Sequence, residues 1–364
     1  MNNKSIAFFG SSLISAYWNG AATYYRGILR ALHNLGYDIT FFEPDAYQRQ
    51  EHRDIPDPEY SKVVVYKATE KAVFDMLQKA SSADIVIKAS GVGVFDELLE
   101  AEVLKLKTSK NKIIFWDVDA PATLDRIEKD PKDPFHEHIP QYDMVLTYGG
   151  GEPVIKAYTS HGAKKCIAVY NALDTNTHFP VKSDERFQAD LAFLGNRLPD
   201  RESRVEEFFI KAACLCPHKE FIIGGSGWHD KPMPSNIKNI GHVYTKDHNA
   251  FNSTSKAVLN ISRDSMARYG FSPATRVFEA AGAGACIISD QWEGIEFFFE
   301  PGKEILVANN GEEVAALLKD LSPNTAAKIG EAARKKVISA HTYPKRAEEL
   351  HPVLQENIDQ NVEV

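Results

Sequence analysis

Short apolar runs and helix-period segments take turns along this chain. "SIAFFG" at Ser5–Gly10 is too short and too continuously apolar for a surface helix, and reads as a buried strand. "AATYYRGILRALHNLG" then places apolar residues three and four apart, with Gly36 as its stop. "YDITFFE", "DIVIKAS", "KIIFWDVD", "YDMVLTYG" and "KCIAVY" repeat the strand signal. "EKAVFDMLQKASS", "VFDELLEAEVLKLKT" and "EPVIKAYTSHG" repeat the helix signal between them. Strands that are apolar throughout, separated by helices, predict a parallel sheet covered on both faces.

The stretch "NALDTNTHFPVKSDERF" (171–187) breaks this rhythm. It is polar, aperiodic and carries a proline, so it reads as a linker. The alternation then restarts. "ADLAFLG", "EFIIGG", "IKNIGHV", "AVLNIS", "ACIIS" and "EILVA" predict strands. "RESRVEEFFIKAACLC", "HNAFNSTSK", residues 311–320 and residues 323–340 predict helices. The expected organisation is α/β: two doubly wound domains in tandem with a cleft between them. The boundaries fall at 1–172, 173–342 and 343–364, the last a helix crossing back to the first domain with a frayed end.

Composition agrees with this picture. A chain of 364 residues exceeds one ordinary core and suits two domains of about 150–200 residues. Net charge is 42 − 50 = −8, which disfavours nucleic acid or an anionic membrane surface as partner. A local basic pocket for a small anion stays compatible with that balance. The four cysteines form no CxxC pair and read as free thiols of a reducing cytoplasm. "IAFFGSSLISA" is interrupted by serines and reads as a strand and loop rather than an export signal. No apolar run reaches the roughly 18 residues a membrane helix needs. The loop histidines of "PFHEHIP" lack nearby cysteines, so no metal is expected there, and no GxSxG elbow marks a serine hydrolase.

In doubly wound sheets, ligands sit beyond the carboxyl ends of strands, at helix N-termini. "FSPATRVFEAAGAGA" (271–285) is the richest such place. Ser272 suits an N-cap and Pro273 a first-turn position, which would leave backbone N–H groups facing an anion. Ser272, Thr275, Arg276 and Glu279 are spaced for one helix face, an arginine for phosphate and a carboxylate for a diol. The small residues from Ala280 onward would let a ligand or another segment approach the backbone.

Other strand ends offer matching chemistry. Gly195, Asn196 and Arg197 follow one strand, with Arg201 and Arg204 at the next helix start. Gly225 and Ser226 follow another strand, and Arg263 a third. Glycines approach phosphate through the backbone and arginines neutralise it. In the first domain, Asn19 could cap a helix while Gly20 permits close approach to a diphosphate. Glu43, Asp45, Asp117 and Asp119 end strands and are candidate cleft carboxylates. Asp117 ranks first as a general base, because Asp119 is equally explained as an N-cap.

"LAFLGNR", "GGSGW", "LNISRD", "FSPATRVFEAAGAGACIISD" and "EGIEFFFEPGKEILV", with "FFEPD" and "FWDVDAPAT" earlier, resemble the CgeB-type, spore-maturation-protein-like glycosyltransferases over most of the chain. The resemblance implies a GT-B fold of two Rossmann-like domains. It implies hexosyltransferase-like transfer from a nucleoside-diphosphate sugar, with UDP-sugar favoured, to a hydroxyl acceptor on a glycan, small molecule or protein. No obligatory metal or other cofactor is implied. Glu279 would hold the ribose; Ser272, Thr275 and Arg276 would lie near the diphosphate; Gly195–Arg197 would form the donor-side loop. Related retaining enzymes carry a second glutamate eight positions earlier, and here that position is Phe271. Two rival readings remain at this point, a GT-B nucleotide-sugar epimerase and a non-catalytic nucleotide-sugar-binding or scaffold protein.

Overall fold

The computed structural model describes residues 4–356. The chain forms two compact units: one comprises the residues up to Tyr170 and those from Tyr343 onward, the other Asn171–Thr342.

The first unit is built on seven strands: β1 (Ser5–Phe9), β2 (Asp38–Asp45), β3 (Lys62–Lys67), β4 (Ile85–Ala89), β5 (Lys112–Asp117), β6 (Met144–Thr147) and β7 (Cys166–Ala168). They pair in parallel in the order β3-β2-β1-β4-β5-β6-β7. Every residue of β4 and β5 is buried, which is why these strands read as unbroken apolar runs. In-register partners Phe8 and Phe41 stack with ring centroids 5.1 Å apart. The edge strand β3, "KVVVYK", is the one the hydrophobic pattern does not predict. Its burial is partial and it follows an irregular polar stretch, so it carries little of the core signal.

Helix Tyr343–Gln355 belongs to this unit and lies against helix Ala22–Asn34. Gly27 makes that approach possible: a Cβ there would stand 2.2 Å from the Tyr343 ring. The expectation for residues 357–364 lies outside the described residues.

The second unit repeats the plan with β8 (Leu191–Leu194), β9 (Phe221–Gly224), β10 (Ile237–Gly241), β11 (Ala257–Asn260), β12 (Ile287–Asp290) and β13 (Leu306–Ala308). The order is β10-β9-β8-β11-β12-β13, again all parallel. Both sheets therefore reverse their winding once, between β1 and β4 and between β8 and β11. At such reversals the loops after the two central strands splay apart and leave a crevice. In the second unit those loops begin at Gly195 and at Ile261.

Residues 171–187 are not a loose linker. Asn171, Leu173 and His178 are buried, and Leu173 N–H donates to His341 at 2.8 Å. Its backbone is tied to the second unit by Asn249, Ser253 and Thr254 side chains, while most of its own polar side chains stay exposed. No helix among the described residues is long and apolar enough to cross a membrane. All four cysteines are free thiols.

Helix Thr275–Gly282 packs against the long helix Pro323–Ala340. Their approach runs through glycine, since a Cβ on Gly330 would lie 2.1 Å from the Gly284 carbonyl oxygen. Backbone cannot rotate aside as a side chain can. Gly330→Ala should destabilise the protein by about 1–3 kcal/mol despite the better helix propensity of alanine, read as a lower urea midpoint. An unchanged midpoint would show that the two segments separate freely.

Candidate functional site

The helix carrying Arg276 starts later than its sequence suggests. It runs Thr275–Gly282 with Ala274 at the N-cap and no side-chain cap. Ser272 does not cap it; its hydroxyl donates to the Gly270 carbonyl at 2.8 Å and is buried. The cause is the backbone just before it, where Gly270 (φ 68°) and Phe271 (φ 43°) turn the chain in the left-handed region. Asn171 does the bracing instead: it accepts from the Thr275 hydroxyl at 3.0 Å and donates to the Pro273 carbonyl at 3.4 Å. Thr275 and Glu279 remain one turn apart, about 6 Å along the axis.

Three arginines gather at the crevice. Arg201 follows β8, Arg263 follows β11, and Arg276 sits in the first turn of the helix. Arg263 pairs with Asp200 at 2.5 Å. Arg201 and Arg276 are half-buried, and no carboxylate pairs with either among the described residues. Burial, then the neighbouring Arg276 and Arg263 charges, push Arg201 down to about 10. Burial likewise pushes Arg276 down, and only Glu279 offsets it. The Arg201 Nε is buried without a hydrogen-bond partner. Leaving guanidinium charge partly desolvated, mutually repelling and unpaired is unfavourable unless an anion completes it.

Glycine positions this charge. A Cβ on Gly195 would stand 2.8 Å from Arg201 Nη1, so the guanidinium lies directly over the bare backbone. Gly225, at φ 119°, abuts Gly195: its Cβ would fall 2.3 Å from the Gly195 carbonyl oxygen. Asn196 joins the two loops by accepting from the Ser226 N–H at 2.9 Å, and Trp228 Nε1 donates to the Gly195 carbonyl at 2.7 Å. Arg197 is turned to other work. It pairs with Glu202 at 2.7 Å and Asp230 at 3.0 Å, so its charge is not available to an anion as expected. Arg204 is likewise committed, to the buried Asp290 at 2.6 Å.

At the far end of the helix face stands Glu279, with two histidines. His178 Nε2 lies 3.7 Å from Glu279 Oε1, and the ligand atoms of His178, His248 and Glu279 all fall within 4.8 Å of one another. Sequence spacing could not reveal this group, because its members come from three separate segments. The small residues after Glu279 admit protein: a Cβ on Gly282 would meet Leu173 at 2.3 Å and the His178 carbonyl at 3.1 Å. The close approach is made by the chain itself.

In the first unit, two of the four candidate carboxylates prove to be structural. Asp117 is fully buried. Its Oδ1 accepts from the Ser90 hydroxyl at 2.7 Å, the Asp119 N–H at 2.9 Å and the Thr123 hydroxyl at 3.2 Å; its Oδ2 accepts from the Tyr158 hydroxyl. That carboxylate is saturated with donors and closed to solvent, which contradicts the role of an accessible base. Glu43 is buried too, bonded to Ser12, Leu13 and Gln50; burial pushes its pKa up and these bonds oppose the shift. Asp45 is exposed. Asn19 does not cap a helix: it accepts from Ser11 and donates to the Ser12 and Ser15 carbonyls, bracing the loop after β1. Gly20 is exposed, with open space where a Cβ would stand. Asp119 is half-buried at the N-cap position of helix Ala120–Lys129 and makes no cap bond.

Residues 201–352 match the protein family described as glycosyl transferase-like. A comparison with curated proteins finds no match. Among solved structures, the chain is similar to sucrose-phosphate synthase from Thermosynechococcus elongatus, at 12% identity and TM-score 0.67, covering 96% of this chain and 98% of that one. It is similar to Anabaena HepE in complex with UDP and glucose, at 12% identity and TM-score 0.67, covering 97% and 99%. It is also similar to the T4 phage enzyme BGT in complex with UDP-glucose, at 13% identity and TM-score 0.59, covering 98% and 99%. The fold is that of the GT-B glycosyltransferases: two Rossmann-like α/β units. The epimerase reading gains no support from these likenesses.

The saturated Asp117 yields a stability test. An amide in its place offers one acceptor oxygen to donors that now occupy two. Asp117→Asn should cost about 1–3 kcal/mol in urea unfolding. A loss under about 0.5 kcal/mol would mean the hydroxyl donors reorient to accept.

Proposed function

We propose that this protein is a glycosyltransferase of the CgeB type, hexosyltransferase-like and metal-independent, which moves a sugar from a UDP-sugar to a hydroxyl acceptor. One observation carries the reading: two half-buried guanidiniums without carboxylate partners, Arg201 and Arg276, at the winding reversal of the second unit. A diphosphate supplies the missing negative charge, and bidentate guanidinium contacts suit its oxygens. The N–H groups of the first helical turn at Thr275 add to the same field. Glu279, about one turn farther, accepts from the two ribose hydroxyls. The loops at Gly195–Asn196 and Gly225–Ser226 bring bare backbone to the nucleotide. Nucleotides bound to the neighbours, UDP in HepE and UDP-glucose in BGT, have this chemistry.

The reaction breaks the bond between the anomeric carbon and the diphosphate oxygen. The arginines stabilise the charge that gathers on departing UDP, and that stabilisation replaces a metal ion. The acceptor oxygen forms the new bond to the anomeric carbon and gives up its proton. Asp119 takes that proton, since Asp117 is enclosed and Asp119 is half-buried two residues beyond the carboxyl end of β5. Asp117 then acts as a positioning residue, holding the Asp119 backbone N–H at 2.9 Å.

The experiment is UDP binding by calorimetry with and without Arg276. Arg276→Ala should weaken UDP by about tenfold to a hundredfold, the worth of a charged hydrogen bond. Without nucleotide, its melting temperature should hold or rise, because the residue lost has no ion-pair partner. Unchanged UDP affinity would remove the arginine from the site, and absence of UDP binding by the native protein would remove the donor.

Asp119→Asn provides a separate check on chemistry. Transfer should fall by about a hundredfold to ten-thousandfold with UDP affinity preserved. Full transfer by this variant would rule Asp119 out as base.

A further inference from the structure

Two histidines converge on Glu279, and each is held by a second contact. The Thr177 hydroxyl lies 2.9 Å from His178 Nδ1 and 3.3 Å from the Asp174 carbonyl. With Nδ1 held by Thr177, Nε2 is the nitrogen that faces the carboxylate of Glu279, at 3.7 Å. His248 Nε2 lies 3.3 Å from the Val243 carbonyl, to which it donates. Two imidazoles and a carboxylate thus converge on one small space, with one ligand atom from each within 4.8 Å of the others.

Acceptors that converge in this way are ligands for a cation. Each histidine has its remote nitrogen tied to an oxygen, the outer-shell arrangement that fixes tautomer and ring orientation in metal sites. Two nitrogens and one carboxylate oxygen suit zinc with an open fourth position, and suit magnesium poorly. Zinc bonds of 2.0–2.1 Å at tetrahedral angles put ligand atoms about 3.3 Å apart. His178 and Glu279 are within half an ångström of that at 3.7 Å, and no separation in the group exceeds 4.8 Å.

We propose that His178, His248 and Glu279 form a binding site for a zinc-class divalent cation, and that the ion excludes the nucleotide donor by occupying Glu279. The second clause rests on the donor reading given above; the first does not. Arg276 beside the site opposes an added positive charge, which makes the ion a reversible inhibitor rather than a permanent structural element. Zinc and nucleotide then become alternative occupants of one helix face.

The test uses the full chain, stripped of metal with a chelator and titrated with Zn²⁺, then Mg²⁺, by calorimetry. One saturating Zn²⁺ per chain is expected, with no matching Mg²⁺ uptake. His178→Asn and His248→Asn should each weaken Zn²⁺ by about tenfold or more, and Glu279→Gln guards against either histidine variant failing to fold. Zinc uptake that is absent, or equal in all variants, overturns the site. UDP is then titrated into metal-free and Zn²⁺-saturated protein. At least a tenfold loss of UDP affinity with zinc supports exclusion, and equal affinities overturn it. A metal-free protein that fails to bind UDP overturns the donor reading, while the zinc titration still decides the metal site.

Discussion

Positive charge that the protein does not neutralise organises the second unit. Arg201 and Arg276 repel one another in a half-buried setting, and the fold holds them there at a cost. The holding devices can be traced. Gly195 leaves room for the Arg201 guanidinium; Asn171 fixes the start of the Arg276 helix; Gly282 admits Leu173 and the His178 carbonyl against that helix, and Gly330 admits the Gly284 carbonyl just beyond its end. The winding reversal between β8 and β11 brings Arg201 and Arg263 to one edge although they lie 62 positions apart in sequence.

Charge elsewhere in the molecule is treated differently. Lys88 is fully buried within β4, yet it pairs with Asp96 at 2.8 Å and Glu100 at 3.3 Å, and Arg126 closes on the other Glu100 oxygen at 3.1 Å. Asp290 is buried beside Arg204 and the Ser262 N–H. These groups are complete within the protein, so burial alone does not mark function. The difference between the two kinds of site lies in partner accounting, and Asp117 belongs with the complete ones.

Much of this was legible in the sequence because buried parallel strands are continuous apolar runs. The two sheets, the helices at 311–320 and 323–340, and the arginines at strand ends all follow from that signal. What was not legible depended on tertiary contact. The edge strand β3 is only partly buried, so its pattern is weak. Ser272 had the right chemistry for an N-cap, but left-handed backbone at Gly270 and Phe271 moved the helix start to Thr275. The 171–187 stretch looked like a linker because most of its side chains are exposed, and the backbone bonds that anchor it leave no mark on composition. His178 and His248 lie 70 residues apart, and no local spacing rule joins them.

Phe271 is locked to Gly294. Its backbone holds φ 43°, its N–H donates to the Glu293 carbonyl at 2.6 Å, and its ring fills the space where a Cβ on Gly294 would stand, 2.3 Å away. Neither residue can be exchanged alone: a carboxylate at 271 would abandon a ring-shaped hollow, and any side chain at 294 would collide with the ring. Such interdependence works as an evolutionary ratchet. The turn that leads into the Arg276 helix can change at these two positions only if both change together.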